Sequence, residues 1–160
     1  MASVRATLEA AGCGEVRTYI QSGNAVFRHE ETDEAGLRDD LEAAIGATAG
    51  FAVPVVLRTA DEWAATVAAN PYPAAGTDPK ALHVVFLSAA PADGGLEALD
   101  LARFAPEELT LLGRELHLFL PGGMGRSKLA AALTDRTLGA VATARNWTTV
   151  LKLQAMLTDR

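Results

Sequence analysis

Val16-Arg17-Thr18-Tyr19-Ile20-Gln21 alternates, with Val16, Thr18 and Ile20 on one face and Arg17, Tyr19 and Gln21 on the other. That is the period of a half-buried strand. Ser22-Gly23-Asn24 follows with turn chemistry and Ala25-Val26-Phe27 resumes the extended pattern, so the segment reads as a β-hairpin. A second hairpin is expected from Glu108–Leu112 and Glu115–Leu120 about Gly113-Arg114. Two hairpins set among helical stretches, in place of continuous strand–helix–strand crossovers, predict an α+β chain.

The stretches between the hairpins carry helix signals. Ser3 is expected to cap a helix with Val4, Leu8 and Ala11 at helical spacing, ended by Gly12 and Gly14. The acidic run Glu30-Glu31-Thr32-Asp33-Glu34 suits a helix start, and Leu37, Leu41, Ala44 and Ile45 give that helix a buried stripe. Val53–Leu57 reads as a strand with Pro54 near its start. Thr59-Ala60-Asp61-Glu62 is a capping box opening a helix with Trp63 and Val67. Asn70-Pro71-Tyr72-Pro73 stops it, and residues 70–80 are linker-like, which sets the expected halves at 1–73 and 74–160, the two expected to form one compact unit. In the second half a strand is expected over Ala81–Leu87, a short helix around Gly95–Leu101, a helix over Ser127–Leu133, and a last helix capped by Asn146. The order is α-β-β-α-β-α, then β-α-β-β-α-α. The second half opens in ferredoxin-like order, and the first would match it if one strand preceded Ser3.

With 160 residues, 49% hydrophobic and 21% charged, the chain has the composition of a globular protein. A single cysteine, Cys13, precludes an internal disulfide and fits a reducing cytoplasm. The first residues lack a signal-peptide pattern. The longest uncharged stretches, Ala43–Leu57 and Trp63–Thr77, are broken by Gly and Pro and fall short of the roughly 18 apolar residues of a membrane span. A soluble, cytoplasmic protein is expected. The net charge of −6 is uneven: residues 1–120 hold 8 Lys/Arg and 18 Asp/Glu, and residues 121–160 hold 6 and 2. The acidic total argues against general nucleic-acid binding. The basic C-terminal quarter either attracts an anion or docks on the acidic remainder.

Gly122-Gly123-Met124-Gly125-Arg126-Ser127-Lys128 leaves a strand and enters a helix. Glycines let backbone N–H groups converge, and a helix start favours an anion. Arg126 and Lys128 stand where the dipole is already positive, which a bound phosphate or carboxylate would relieve. The spacing is neither a Walker A motif nor a dinucleotide fingerprint. The plain alternative is a loop with Ser127 as cap and two solvated cations. Arg145, beside the cap Asn146 and Trp147, would add a cation if it met Arg126. Gln21 and Asn24, with Arg17 and Tyr19, form a polar stripe that lines a groove or faces water. His29, His83 and His117 show no metal-ligand spacing. No nucleophile with a nearby base stands out, and no metal or cofactor is expected.

Four segments occur in order: Arg17–Phe27, Ala69–Pro73, Gly125–Leu129 and Arg145–Leu153. Together they resemble the bacterial family known as domain of unknown function 1697. The resemblance implies two α+β halves of ferredoxin-like kind and no known reaction. It also implies an N-terminal strand and Gly-rich loop ahead of Ser3 that this chain lacks, so the first half is expected to be short of its first strand, and the chain either to be less stable than a full-length relative or to borrow a strand from a partner, as a homodimer or by strand exchange. The leading expectation is a small binding module with an anion site of phosphate or nucleotide type at residues 122–128, built from Gly125, Arg126, Ser127 and Lys128, with Arg145, Asn24 and Gln21 as further contributors. An enzyme acting on a phosphorylated or nucleotide substrate and a structural, oligomerising domain are the alternatives.

Overall fold

The computed structural model describes residues 2–20, 23–72 and 77–159. The chain divides into two compact units, Met1–Leu57 with Met156–Arg160, and Arg58–Ala155. The division falls ahead of the Pro-rich stretch at 70–80. Its reason is Trp63, which the capping-box helix carries onto the second unit's sheet and stacks on Phe86 with centroids 4.5 Å apart.

Unit 1 begins with α1 (Ala2–Ala10), which already includes Ser3, the expected cap. Strands β1 (Gly14–Tyr19) and β2 (Asn24–Arg28) pair antiparallel as the expected hairpin. Val16 is buried, whereas Ile20 does not join its face: it leaves the strand at φ 59 and is half exposed. Helix α2 (Glu34–Ala49) starts one residue after Asp33, whose carboxylate accepts from the Gly36 N–H at 3.2 Å. Of the acidic run only Glu34 lies within the helix. Glu31 instead takes the Asp33 N–H on its own side chain. Leu8, Cys13, Val16 and Leu41 form the core, flanked by Leu37, Ile45 and Leu57. Val53–Leu57 is not a strand. Among the described residues it joins no ladder, and the Val55 N–H is taken by the Glu42 carboxylate at 2.8 Å.

Unit 2 is a four-stranded antiparallel sheet in the order β4-β5-β3-β6, formed by β3 (Leu82–Leu87), β4 (Glu108–Leu112), β5 (Glu115–Phe119) and β6 (Ala142–Asn146). Every pairing is antiparallel. Together with the β1–β2 hairpin this makes an α+β chain with two antiparallel sheets. Alternation along the strands gives the sheet two faces. One carries Val85, Leu87, Leu116 and Leu118, and it packs against Leu129 of α4 (Lys128–Ala132) and Leu138 of α5 (Asp135–Leu138). The other carries Val84, Phe86 and His117 and is covered by α3 (Ala60–Ala68), whose Trp63 Nε1–H also donates to the Val150 carbonyl of α6 (Trp147–Thr158) at 3.1 Å.

One local expectation changes. The stretch around Gly95–Leu101 is a series of turns, followed by a 3-10 turn at Leu101–Phe104. Gly95 explains this: a Cβ there would lie 1.8 Å from the Thr137 carbonyl oxygen, so the segment is pinned by backbone contact with α5. Helix α5 and strand β6 occupy the stretch between Leu133 and Asn146 for which the sequence suggested no element. The capping box at Thr59 and Glu62 forms in both directions, and Asn146 caps α6 by accepting from the Thr149 N–H at 2.8 Å. Among the described residues no helix is long and apolar enough to cross a membrane.

Candidate functional site

The Gly-rich turn sits in unit 2 between β5 and α4. Gly123, at φ 85, supplies the left-handed turn that only glycine adopts without strain. A Cβ on Gly122 or Gly125 would meet nothing within 4 Å, so those two are not steric requirements. Met124–Arg126 is a single 3-10 turn and Ser127 caps α4, its Oγ accepting from the Ala130 N–H at 2.8 Å. The next N–H, that of Leu129, donates to the Glu107 carboxylate at 3.2 Å. The negative group that the helix start calls for is therefore supplied by the chain itself.

Arg126 and Lys128 are exposed and make no ion pair among the described residues. Gly125 between them and the loop is also exposed. Ser127 is buried and committed to its cap, so its role is structural. Arg145 does not join them. It lies opposite Val84 on the face covered by α3, while its neighbour Ala144 faces α4. Its guanidinium donates to the Thr143 hydroxyl at 2.6 Å and to the Ala144 carbonyl at 2.8 Å. Burial pushes its pKa down. Strand alternation, invisible until β6 is known to be a strand, is what separates Arg145 from Arg126.

Asn24 belongs to unit 1. It is buried, and its side-chain amide donates to the Tyr19 carbonyl at 3.0 Å, closing the hairpin. Arg17 donates to the Met156 carbonyl. These two members of the polar stripe are structural, and Gln21 lies outside the described residues.

Beside the Gly-rich turn, a cleft of about 180 Å³ opens between the sheet and α4. Val85, Leu118 and Ala144 form its floor, Met124, Ala130 and Leu133 its wall, and Thr134 and Asp135 its polar end. Of these, only Met124 falls within the site expected at residues 122–128. Met124 and Ala130 bracket the two cations in the chain, and that adjacency was the available signal. Thr134 Oγ1 is occupied in capping α5, accepting from the Thr137 N–H at 3.2 Å.

His29 belongs to unit 1, and the two histidines of unit 2 do not converge. His83 and His117 stand on opposite faces of the sheet, and burial lowers the pKa of each. Among the described residues no group of three or more His, Cys, Asp or Glu could hold a metal ion. Cys13 is buried in the unit 1 core, and burial raises its thiol pKa, so it is not an activated nucleophile.

The fold is similar to that of a conserved bacterial protein, SP0830 from Streptococcus pneumoniae. The TM-score is 0.71 at 20% identity, over 99% of this chain and 88% of that one. No curated protein matches the chain. The family model described as a protein of unknown function, DUF1697, matches residues 1–117, and the chain belongs to that family.

Proposed function

We propose that unit 2 is a binding module for a small ligand with an apolar body and an anionic end. The apolar part would occupy the cleft over Val85, Leu118 and Ala144, and the anion would meet Arg126 and Lys128 at its rim. One observation carries this reading: Arg126, at the end of the 3-10 turn, and Lys128, at the start of α4, are exposed and have no ion-pair partner among the described residues, and Met124 and Ala130 on either side of them in the chain line the cleft. The backbone contributes little to anion affinity, because the Leu129 and Ala130 N–H groups are already satisfied by Glu107 and Ser127. Affinity then rests on two solvated side chains and on buried apolar area, so inorganic phosphate alone binds weakly and in a salt-dependent way.

Isothermal titration against apolar carboxylates and apolar phosphate esters, with inorganic phosphate as reference, tests this. The amphiphilic ligands should bind more tightly than phosphate. The double variant Arg126→Ala/Lys128→Ala should weaken them, and Ala144→Leu, which narrows the cleft, should weaken them independently. No binding across the panel, or binding indifferent to both variants, would refute the reading.

A further inference from the structure

His117 lies in the central strand β5, 1% exposed, and neither of its ring nitrogens has a hydrogen-bond partner among the described residues. A neutral imidazole keeps one N–H, and leaving a buried donor unmatched is costly. Such a group calls for an explanation. Its surroundings hold the neutral ring in place. Val84 and Thr110 stand directly opposite it on the neighbouring strands, on the sheet face that α3 covers.

We infer that His117 is an acid-sensitive latch of unit 2: an imidazole locked neutral inside the sheet's covered face, whose protonation loosens that face. Burial outweighs the one nearby charge that favours an imidazolium, that of Glu115, and the other charges are engaged or distant. Glu115, two residues along the same strand and face, is bound by Arg58 at 2.8 Å and by the Thr66 hydroxyl at 3.2 Å. On β4, Glu108 lies diagonally beyond Thr110, and the Thr110 hydroxyl is bonded to Tyr72 at 2.8 Å. On β6, Arg145 lies one strand further across and would repel a second cation. From α3, Glu62 is tied to Arg114 and to the capping box, and Asp61 is exposed. The buried side chains of α6 are Trp147, Thr149, Val150 and Leu153, none of them titratable.

The sign follows from burial. The folded state holds the ring below its ordinary pKa of 6.5, so the unfolded chain binds the proton more readily. The stabilising contribution is complete above pH 6.5 and is lost as pH falls below it. A native state that never accepts the proton loses up to ~30-fold in its folding constant by pH 5.0.

Urea unfolding of the full chain at pH 7.5 and pH 5.0 reads this directly. His83, its pKa also lowered by burial, contributes to the same pH interval, so the comparison is between wild type and His117→Leu, with His83→Leu as control. His117→Leu should remove several-fold to tenfold of the wild-type loss and keep a native circular dichroism spectrum at pH 7.5. Equal losses in wild type and His117→Leu would overturn the inference. Should His117→Leu fail to fold, nuclear magnetic resonance of the wild-type imidazole decides. The ring should stay neutral until unfolding sets in, and a reversible titration near pH 6.5 in the intact fold would overturn the inference equally.

Discussion

Arg58 is the residue whose replacement should cost unit 2 most. Its side chain is 3% exposed and its ion-pair partner Glu115 is 16% exposed. Nε and Nη2 both reach Glu115 Oε2, at 3.0 and 2.8 Å, and Nη2 also donates to the Leu87 and Arg114 carbonyls at 2.7 and 3.1 Å. The guanidinium carbon lies 5.7 Å from the centre of the Phe86 ring that Trp63 stacks upon. Arg58→Met preserves most of the apolar volume and removes every one of these donors. Glu115 is left with the Thr66 hydroxyl and a largely buried charge. Removing one partner of a buried pair costs about 3–5 kcal/mol. The residual exposure of Glu115 places this case near about 3 kcal/mol. Replacing both partners, Arg58→Met with Glu115→Leu, removes the stranded charge and should recover a large part of that loss. Urea denaturation of the wild type, both single variants and the double gives the coupling, which should exceed about 1 kcal/mol. A single-variant cost below about 1 kcal/mol, or strictly additive variants, would show that the pair does not hold α3 to the sheet.

Other expectations follow from single contacts. Gly95→Ala drives a methyl into the Thr137 carbonyl, so it should destabilise by about 2 kcal/mol or more, read as a lowered urea midpoint. Ser127→Ala removes the α4 cap and should cost about 1 kcal/mol by the same assay. Glu107→Ala frees the Leu129 N–H and removes a carboxylate beside Arg126 and Lys128, so inorganic phosphate should bind several-fold tighter; unchanged titration would show that the turn does not hold anions.

Some of this molecule was legible from its residues because the physics is local. The Thr59–Glu62 capping box, the Asn146 cap and the 108–120 hairpin depend on groups within a few residues of each other, and all three form as expected. The site was less legible. Arg126 and Lys128 are exposed at the expected loop–helix junction, but the peptide dipoles there are met by Glu107, which is 22 residues in sequence from the Leu129 N–H it accepts from. Asn24 and Ser127, expected to help hold a ligand, are both engaged with nearby backbone, Asn24 donating to the Tyr19 carbonyl and Ser127 capping α4, since a polar side chain near a turn meets its own backbone before it meets a ligand.

Local order alone fixed the α+β character, because a strand period and a helix period cannot be exchanged without turning apolar side chains to water. Long-range pairing decided everything else. Ala142–Asn146 alternates only alanine with polar residues, with no large apolar side chain, and becomes a strand because β3 offers it an edge, whereas the strongly apolar Val53–Leu57 joins no ladder among the described residues. A strand is a relation between two segments, since its hydrogen bonds lie outside itself. The placement of Arg145, the burial of His117 and the cleft beside Met124 all depend on which segments pair, and that is settled only when the chain folds.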